Sequence, residues 1–317
     1  MSTPTTMTDR VADYLTYRRS LGYKLRIEGY LLKTFARFAD ESGHRGPLTV
    51  DLALSWSTSP HWASREYHSR RLGVLRRFAQ YMAVFEPCTE IPPADMLGPS
   101  RSRKEPYIFS DKETLALVRG AGRLPSPLEL RGSTYATLIG LLACTGMRIG
   151  EALRLTRGDV NLEEGVVRVR ESKGQRSRLL PLHPTATDAL IQYAKHRDSC
   201  IPSSTDPAFF LSERGRAPRY NTVCYTFRHL CVETGATPRG RRLPRLHDLR
   251  HTFACRRLQC WYEDGVDIDH AISALSTYLG HTSLRDTYWY LTGVPELFNL
   301  CGKKFERFVL SKSGDPS

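Results

Sequence analysis

Residues 247–254 read His-Asp-Leu-Arg-His-Thr-Phe-Ala, and residues 279–290 read Leu-Gly-His-Thr-Ser-Leu-Arg-Asp-Thr-Tyr-Trp-Tyr. His247 and Arg250 stand three apart and share one helix face, where both can meet a single anion. A Gly-His pair follows, then two tyrosines, Tyr288 and Tyr290. This is a concentration of phosphate-seeking and proton-transferring side chains. His247, His251 and Cys255 also recur one turn apart, a spacing that can present metal ligands. The further ligands of a four-coordinate zinc site are missing at the usual spacings, so no metal is assigned.

Outward from this stretch, the charge balance points to a polyanionic partner. The 317 residues carry 46 Lys+Arg against 33 Asp+Glu, a net charge of +13. Residues 1–100 hold 13 basic and 10 acidic side chains, so an excess of 10 falls on the remainder, which also holds the motifs. Hydrophobic residues at 40% and charged residues at 25% are those of a soluble globular protein with length for two domains. The longest apolar run, Tyr135–Cys144, is too short to span a bilayer. The chain opens without a basic start and an apolar segment, so no secretory signal is read. The cytoplasm, in association with the nucleoid, is the expected compartment. The 8 cysteines are scattered without a Cys-x-x-Cys pair and read as reduced, mostly structural thiols.

The periodicity predicts a mainly α protein. Residues 8–42 read as two helices broken at Ser20–Gly22, a third starts at Thr49, and a long basic fourth spans His61–Phe85. Its Arg70, Arg71, Arg76 and Arg77 are candidate DNA-backbone contacts. Pro87–Pro106 is proline-rich, reads as an extended linker, and adds Arg101, Arg103 and Lys104 to those candidates. The division expected is a helical domain over 1–88, a linker over 89–106 and a second domain over 107–317. In the second domain, Ser110–Glu113 matches a capping box, and Ser133–Cys144 is an apolar helix ended by Thr145-Gly146. A short helix starts at Arg148. Gly165–Leu182 alternates as a hairpin with Val167 and Val169 on one face. Ala208–Leu211 is expected as a short strand. Helices follow over 186–195, 221–232, 247–262 and 268–279, then one carrying Tyr290 and an amphipathic one over Pro295–Leu310.

Metal-free cleavage of a phosphodiester needs cationic forks on the non-bridging oxygens, a nucleophile, and an acid for the leaving oxygen. Arg148, two residues after Gly146, Lys173 at the hairpin tip, His247-x-x-Arg250-His251, Leu279-Gly-His281 and Tyr290 nine residues later occur in that order. With Thr145-Gly-Met-Arg148-Ile-Gly-Glu151, this set resembles the tyrosine recombinase (phage integrase) family over Tyr107 to about Leu310. The helical region before it is similar to the family's core-binding, SAM-like domain, and the second domain to the catalytic integrase fold with its small antiparallel sheet.

The resemblance implies a site-specific recombinase that cleaves and rejoins DNA through a 3′-phosphotyrosyl link, for integration, excision or transposition of a mobile element. It implies Tyr290 as nucleophile and Arg148 and Arg250 as ligands of the transition state. Lys173 would be the general acid, His247 an acid/base, His281 a phosphate donor and Glu151 a supporting carboxylate. No cofactor is implied. The partners implied are double-stranded DNA with core sites and a homo- or hetero-tetramer assembled on it, with no membrane. Tyr288 lies roughly 200° around the helix from Tyr290, so only one of them can face the phosphate. Arg176 and Arg178 are the basic rivals of Lys173, and His251 reads as a core or supporting histidine. A DNA-binding protein acting by occupancy alone and a type IB topoisomerase are the alternatives.

Overall fold

The computed structural model describes residues 6–99, 106–170, 177–236, 243–281, 283–284 and 287–288. The chain divides into two compact units at Lys104/Glu105. Within the first, four helices form: α1 (Met7–Ser20), α2 (Arg26–Glu41), α3 (Val50–Thr58) and α4 (Arg65–Met82). The start of α1 is satisfied twice. Thr6 and Asp9 form a capping box, and the Asp40 carboxylate at the end of α2 accepts from the backbone N–H groups of Met7 and Thr8 at 2.9 and 3.1 Å. Gly22, with φ of +85°, makes the turn between α1 and α2. Leu15, Leu32, Phe35, Leu75 and Phe78 fill the core of this unit, and Trp56 packs edge-on against Phe35.

Two expectations change here. Helix α4 is shorter at both ends than His61–Phe85; its start is set by Ser64, which caps the first turn by accepting from the Tyr67 N–H. Residues 90–98 are strapped onto the helices. The carbonyls of Pro92 and Leu97 accept from Arg76 and Arg65, and the Glu90 carboxylate accepts from the Val50 N–H. An extended linker is therefore absent among residues 87–99, while 100–105 lie outside the described residues.

The second unit opens with α5 (Asp111–Gly122), capped by the Ser110/Glu113 box. Helix α6 (Leu130–Thr145) lies so close to it that a Cβ on Gly132 would stand 2.6 Å from the Gly122 carbonyl oxygen. After α7 (Ile149–Ala152) come the strands β1 (Val160–Asn161), β2 (Val166–Val169) and β3 (Arg178–Pro181), an antiparallel sheet in that order. Val167 and Val169 are buried, as the alternation expects, and Val169 pairs with Arg178.

Helix α8 (Pro184–Cys200) starts on a proline, whose missing N–H has no partner to lose there. The run Ala208–Leu211 is buried but forms a single bridge, Thr156 with Ala208, instead of a strand. Its polar backbone is satisfied largely by side chains: Arg197 donates to the Phe209 carbonyl, Thr134 to that of Leu211, and the Tyr193 hydroxyl accepts from the Leu211 N–H, while the Phe209 N–H donates to the Leu155 carbonyl. Burial without a ladder explains why an apolar run mimicked a strand. Helices α9 (Tyr220–Glu233), α10 (Leu246–Glu263) and α11 (Ile268–Leu279) complete the unit. No helix among the described residues is long and apolar enough to cross a membrane.

Candidate active site

The site is assembled where α6, α10 and α11 converge. Gly146 ends α6 with φ of +60°, and a Cβ there would stand 2.5 Å from Phe253 on α10 and 3.2 Å from Leu279 on α11. Only glycine fits both the backbone and the space. Its carbonyl accepts from Arg250, whose second terminal nitrogen donates to the Leu279 carbonyl at 2.6 Å. Arg250 is 1% exposed. A guanidinium is tolerated at that depth because it is hydrogen-bonded.

Arg148 caps α7 and reaches across to the next carbonyl of the same corner, Gly280, at 2.9 Å. Gly280 and His281 close α11 in a Schellman motif. The Gly280 N–H donates to the Thr277 carbonyl and the His281 N–H to that of Ser276. This cap fixes His281, whose Nδ1 lies 2.6 Å from the buried Thr287 hydroxyl. Glu151 accepts from the Arg148 backbone and guanidinium, both at 2.9 Å, and from Arg178. Burial raises the Glu151 pKa, but the hydrogen bonds of Arg178 and Arg148 outweigh it and hold it at about 2.

His247 stands one turn ahead of Arg250, its ring 4.7 Å from that of His251 and nearly perpendicular to it. The His247 side chain reaches the surface, yet the protein packed around it and the charge of Arg250 push its pKa down to about 4. Burial, then His247, push His251 to about 3. Both imidazoles are neutral at pH 7. A groove of about 610 Å³ opens beside them, lined by Arg148, Arg154, Arg228, Arg245, His247 and Tyr220. Two guanidinium groups, Arg148 and Arg178, thus grip one carboxylate, a third, Arg250, is held by the neighbouring carbonyls, and two neutral imidazoles lie alongside, an arrangement suited to a multiply charged oxyanion.

Arg148, Glu151, Arg250 and His281 are brought together through the carbonyls of Leu279 and Gly280, and His247 adjoins them on α10. Lys173 and Tyr290 lie outside the described residues, as do Arg101, Arg103 and Lys104. On α4, Arg70 and Arg77 are exposed, whereas Arg76 is half-buried and bonded to Pro92. Arg71 departs from the expectation of a DNA contact. It is 8% exposed, donates to the Trp56 carbonyl at 2.6 Å and lies 3.7 Å over the Trp56 ring. Arg178 and Thr287 are the site residues that the motifs did not single out. For Arg178 a signal existed: strand alternation puts it on the same face as Leu180, hence inward.

The family model of the phage integrase family matches residues 121–294. Protein y4rE of Sinorhizobium fredii, assigned as an integrase/recombinase, is 38% identical over 296 residues, covering 93% of this chain and 94% of the relative. The tyrosine recombinase XerC of Chlamydia trachomatis is 27% identical over 221 residues, 70% of this chain and 65% of XerC. Among solved structures, the Tn1549 transposon integrase in complex with transposon right end DNA superposes with a TM-score of 0.68 at 15% identity, covering 96% of this chain and 99% of that one. That likeness carries the fold, and the sequence matches carry the family. The convergent arginines and histidines thus sit in a chain that belongs to the phage integrase family, the tyrosine recombinases, enzymes of site-specific recombination.

Proposed function

We propose that this recombinase cuts and rejoins double-stranded DNA at core sites through a 3′-phosphotyrosyl intermediate on Tyr290. The observation that carries the proposal is the convergence of Arg148 and Arg250 on the Leu279–Gly280 corner, beside His247 and His281. In the forward step the Tyr290 hydroxyl oxygen attacks the scissile phosphorus and its proton passes to His247. The bond from phosphorus to the 5′-oxygen breaks, and Lys173 protonates that oxygen. Arg148 and Arg250 hold the non-bridging oxygens as negative charge builds, and His281 donates to the same phosphate. Each broken phosphodiester is replaced by a phosphotyrosine, so rejoining by a 5′-hydroxyl needs no external energy source.

The helical unit serves as the core-binding domain, with Arg70 and Arg77 on the DNA backbone, and in the second unit the Arg154–Arg228–Arg245 groove holds the backbone beside the scissile phosphate. Four protomers bring two duplexes together in the nucleoid. Integration, excision or transposition of a mobile element is the proposed use, and the whole-length likeness to a Sinorhizobium protein named as an integrase/recombinase supports integration among these.

The test uses a pool of nicked duplexes with randomised cores as suicide substrates. Wild type is expected to give a covalent protein–DNA adduct that survives denaturation, and sequencing the trapped DNA reads the site. Tyr290→Phe is expected to give none, and Tyr288→Phe to react normally. An adduct retained in Tyr290→Phe rules out this nucleophile. Specific binding without any adduct supports action by occupancy, and supercoil relaxation without joint molecules supports a topoisomerase.

A further inference from the structure

Arg178 is the first residue of β3, the strand that leaves the segment carrying Lys173. Its guanidinium is forked onto Glu151, Nη1 to Oε1 at 3.2 Å and Nη2 to Oε2 at 2.8 Å. The remaining donor, Nε, reaches the Tyr278 carbonyl at the end of α11, at 2.8 Å. All three nitrogens are engaged, and the side chain is only 10% exposed. Gly280 makes the fit possible, because a Cβ there would stand 2.8 Å from Arg178 Nη1.

We propose that Arg178 is a positioning residue for the recombination chemistry, locking the start of β3, the Arg148 guanidinium and the His281 corner into one frame. The inference rests on the reading of Arg148, Lys173 and His281 as the phosphate site. Two effects follow from the geometry. The first is mechanical: Glu151 is gripped from both sides, so the carboxylate that Arg148 bonds beside the Gly280 carbonyl is fixed, and the β3 end is tied to α11. The second is electrostatic. Glu151 alone would neutralise Arg148, whose side chain at 27% exposure is the outermost of the three. A second guanidinium on the same carboxylate leaves the triad with a net positive charge, available to a phosphate.

The groups facing Glu151 are Arg148 beside it, Arg178 from β3 and the α11 end. There Tyr278, held neutral by burial, and the carbonyls bonded to Arg148 and Arg250 lie. Removing Arg178 takes away the strongest counterweight to burial, so Glu151 would pick up a proton at higher pH. Lysine would keep the charge but could not make the fork and reach Tyr278 together.

The full-length wild type, Arg178→Gln and Arg178→Lys are compared on the duplex recovered by the wild-type selection. Adduct formation at saturating protein is followed in a single turnover over a range of pH, and binding to the intact duplex by anisotropy. The Gln variant is expected to cleave about 100-fold more slowly, the scale of a small misplacement of catalytic groups. Its Kd should be unchanged and its acid limb moved to higher pH. The Lys variant should keep the wild-type acid limb and recover part of the rate. A Gln variant with the wild-type rate and profile overturns the assignment, as does a Lys variant with the full wild-type rate, and the latter decides alone if the Gln variant does not fold. Absence of any wild-type adduct instead removes the covalent mechanism, and the assignment with it.

Discussion

His247 and His251 hold their protons more weakly in the folded chain than in the unfolded one, at about 4 and about 3 against an ordinary imidazole value of about 6.5. The unfolded state therefore binds more protons below about 6.5, and stability is full above that pH and drains as pH falls towards the folded values. Glu151 is displaced in the same direction, over a lower pH range. Held at about 2, it contributes stability above the ordinary carboxylate value of about 4.3, which is lost as pH falls from there. The urea midpoint of the catalytic unit, followed by circular dichroism, should thus fall in two stages on acidification. His251→Gln should flatten the first stage, and a midpoint unchanged from neutral pH down to the folded imidazole values would refute the neutral histidines. The same depression suits His247 to the proton-acceptor role proposed for it. The motifs named His247, Arg250 and Arg148 because spacing along a helix or at a turn is local. Arg71 was readable too, since it lies four residues before Leu75 and seven before Phe78, on the buried face of α4. Its charge disguised a guanidinium that lies on the face of Trp56.

At the level of elements, the α6–α7 turn carries more than chain reversal. Gly146 supplies a left-handed residue, a space for Phe253 and the carbonyl that receives Arg250. Gly146→Ala should cost roughly 1–2 kcal/mol for the left-handed backbone and about 1–3 kcal/mol more for overpacking. The expected result is a lower urea midpoint, together with slower cleavage because the Arg250 acceptor moves. A variant as stable as wild type would show that Phe253 yields without cost. The sequence indicated this turn by Thr-Gly, the apolar helix by its composition and the hairpin by alternation. It missed the buried Ala208–Leu211 loop, since an apolar run records burial and not the hydrogen-bond partner. Here those partners are Arg197, Thr134 and Tyr193, remote in sequence. It also overextended α4, whose start depends on Ser64 as a cap.

Across the whole molecule, the two units have separate hydrophobic cores. Met7 to Met82 supply the first, while Phe109 to Leu249 and Ala254 to Leu279 supply two clusters of the second. The order of motifs announced a catalytic region and the charge announced its partner, but the boundary at Lys104/Glu105 depends on where residues 87–99 pack. A proline-rich composition does not reveal that. Separate cores make each unit a candidate cooperative folding block, so calorimetry should resolve two transitions. Trp56 provides the means to assign them. It is 3% exposed, packs against Phe35 and carries the Arg71 guanidinium on its face. Trp56→Ala should remove roughly 3–5 kcal/mol from the unit that contains it, and each kcal/mol moves the midpoint of a domain of that size by about 4–8 °C. One transition should therefore fall or disappear while the other stays at its wild-type temperature. If both move together, the cores fold as one block, and the helical unit contributes to the stability of the site.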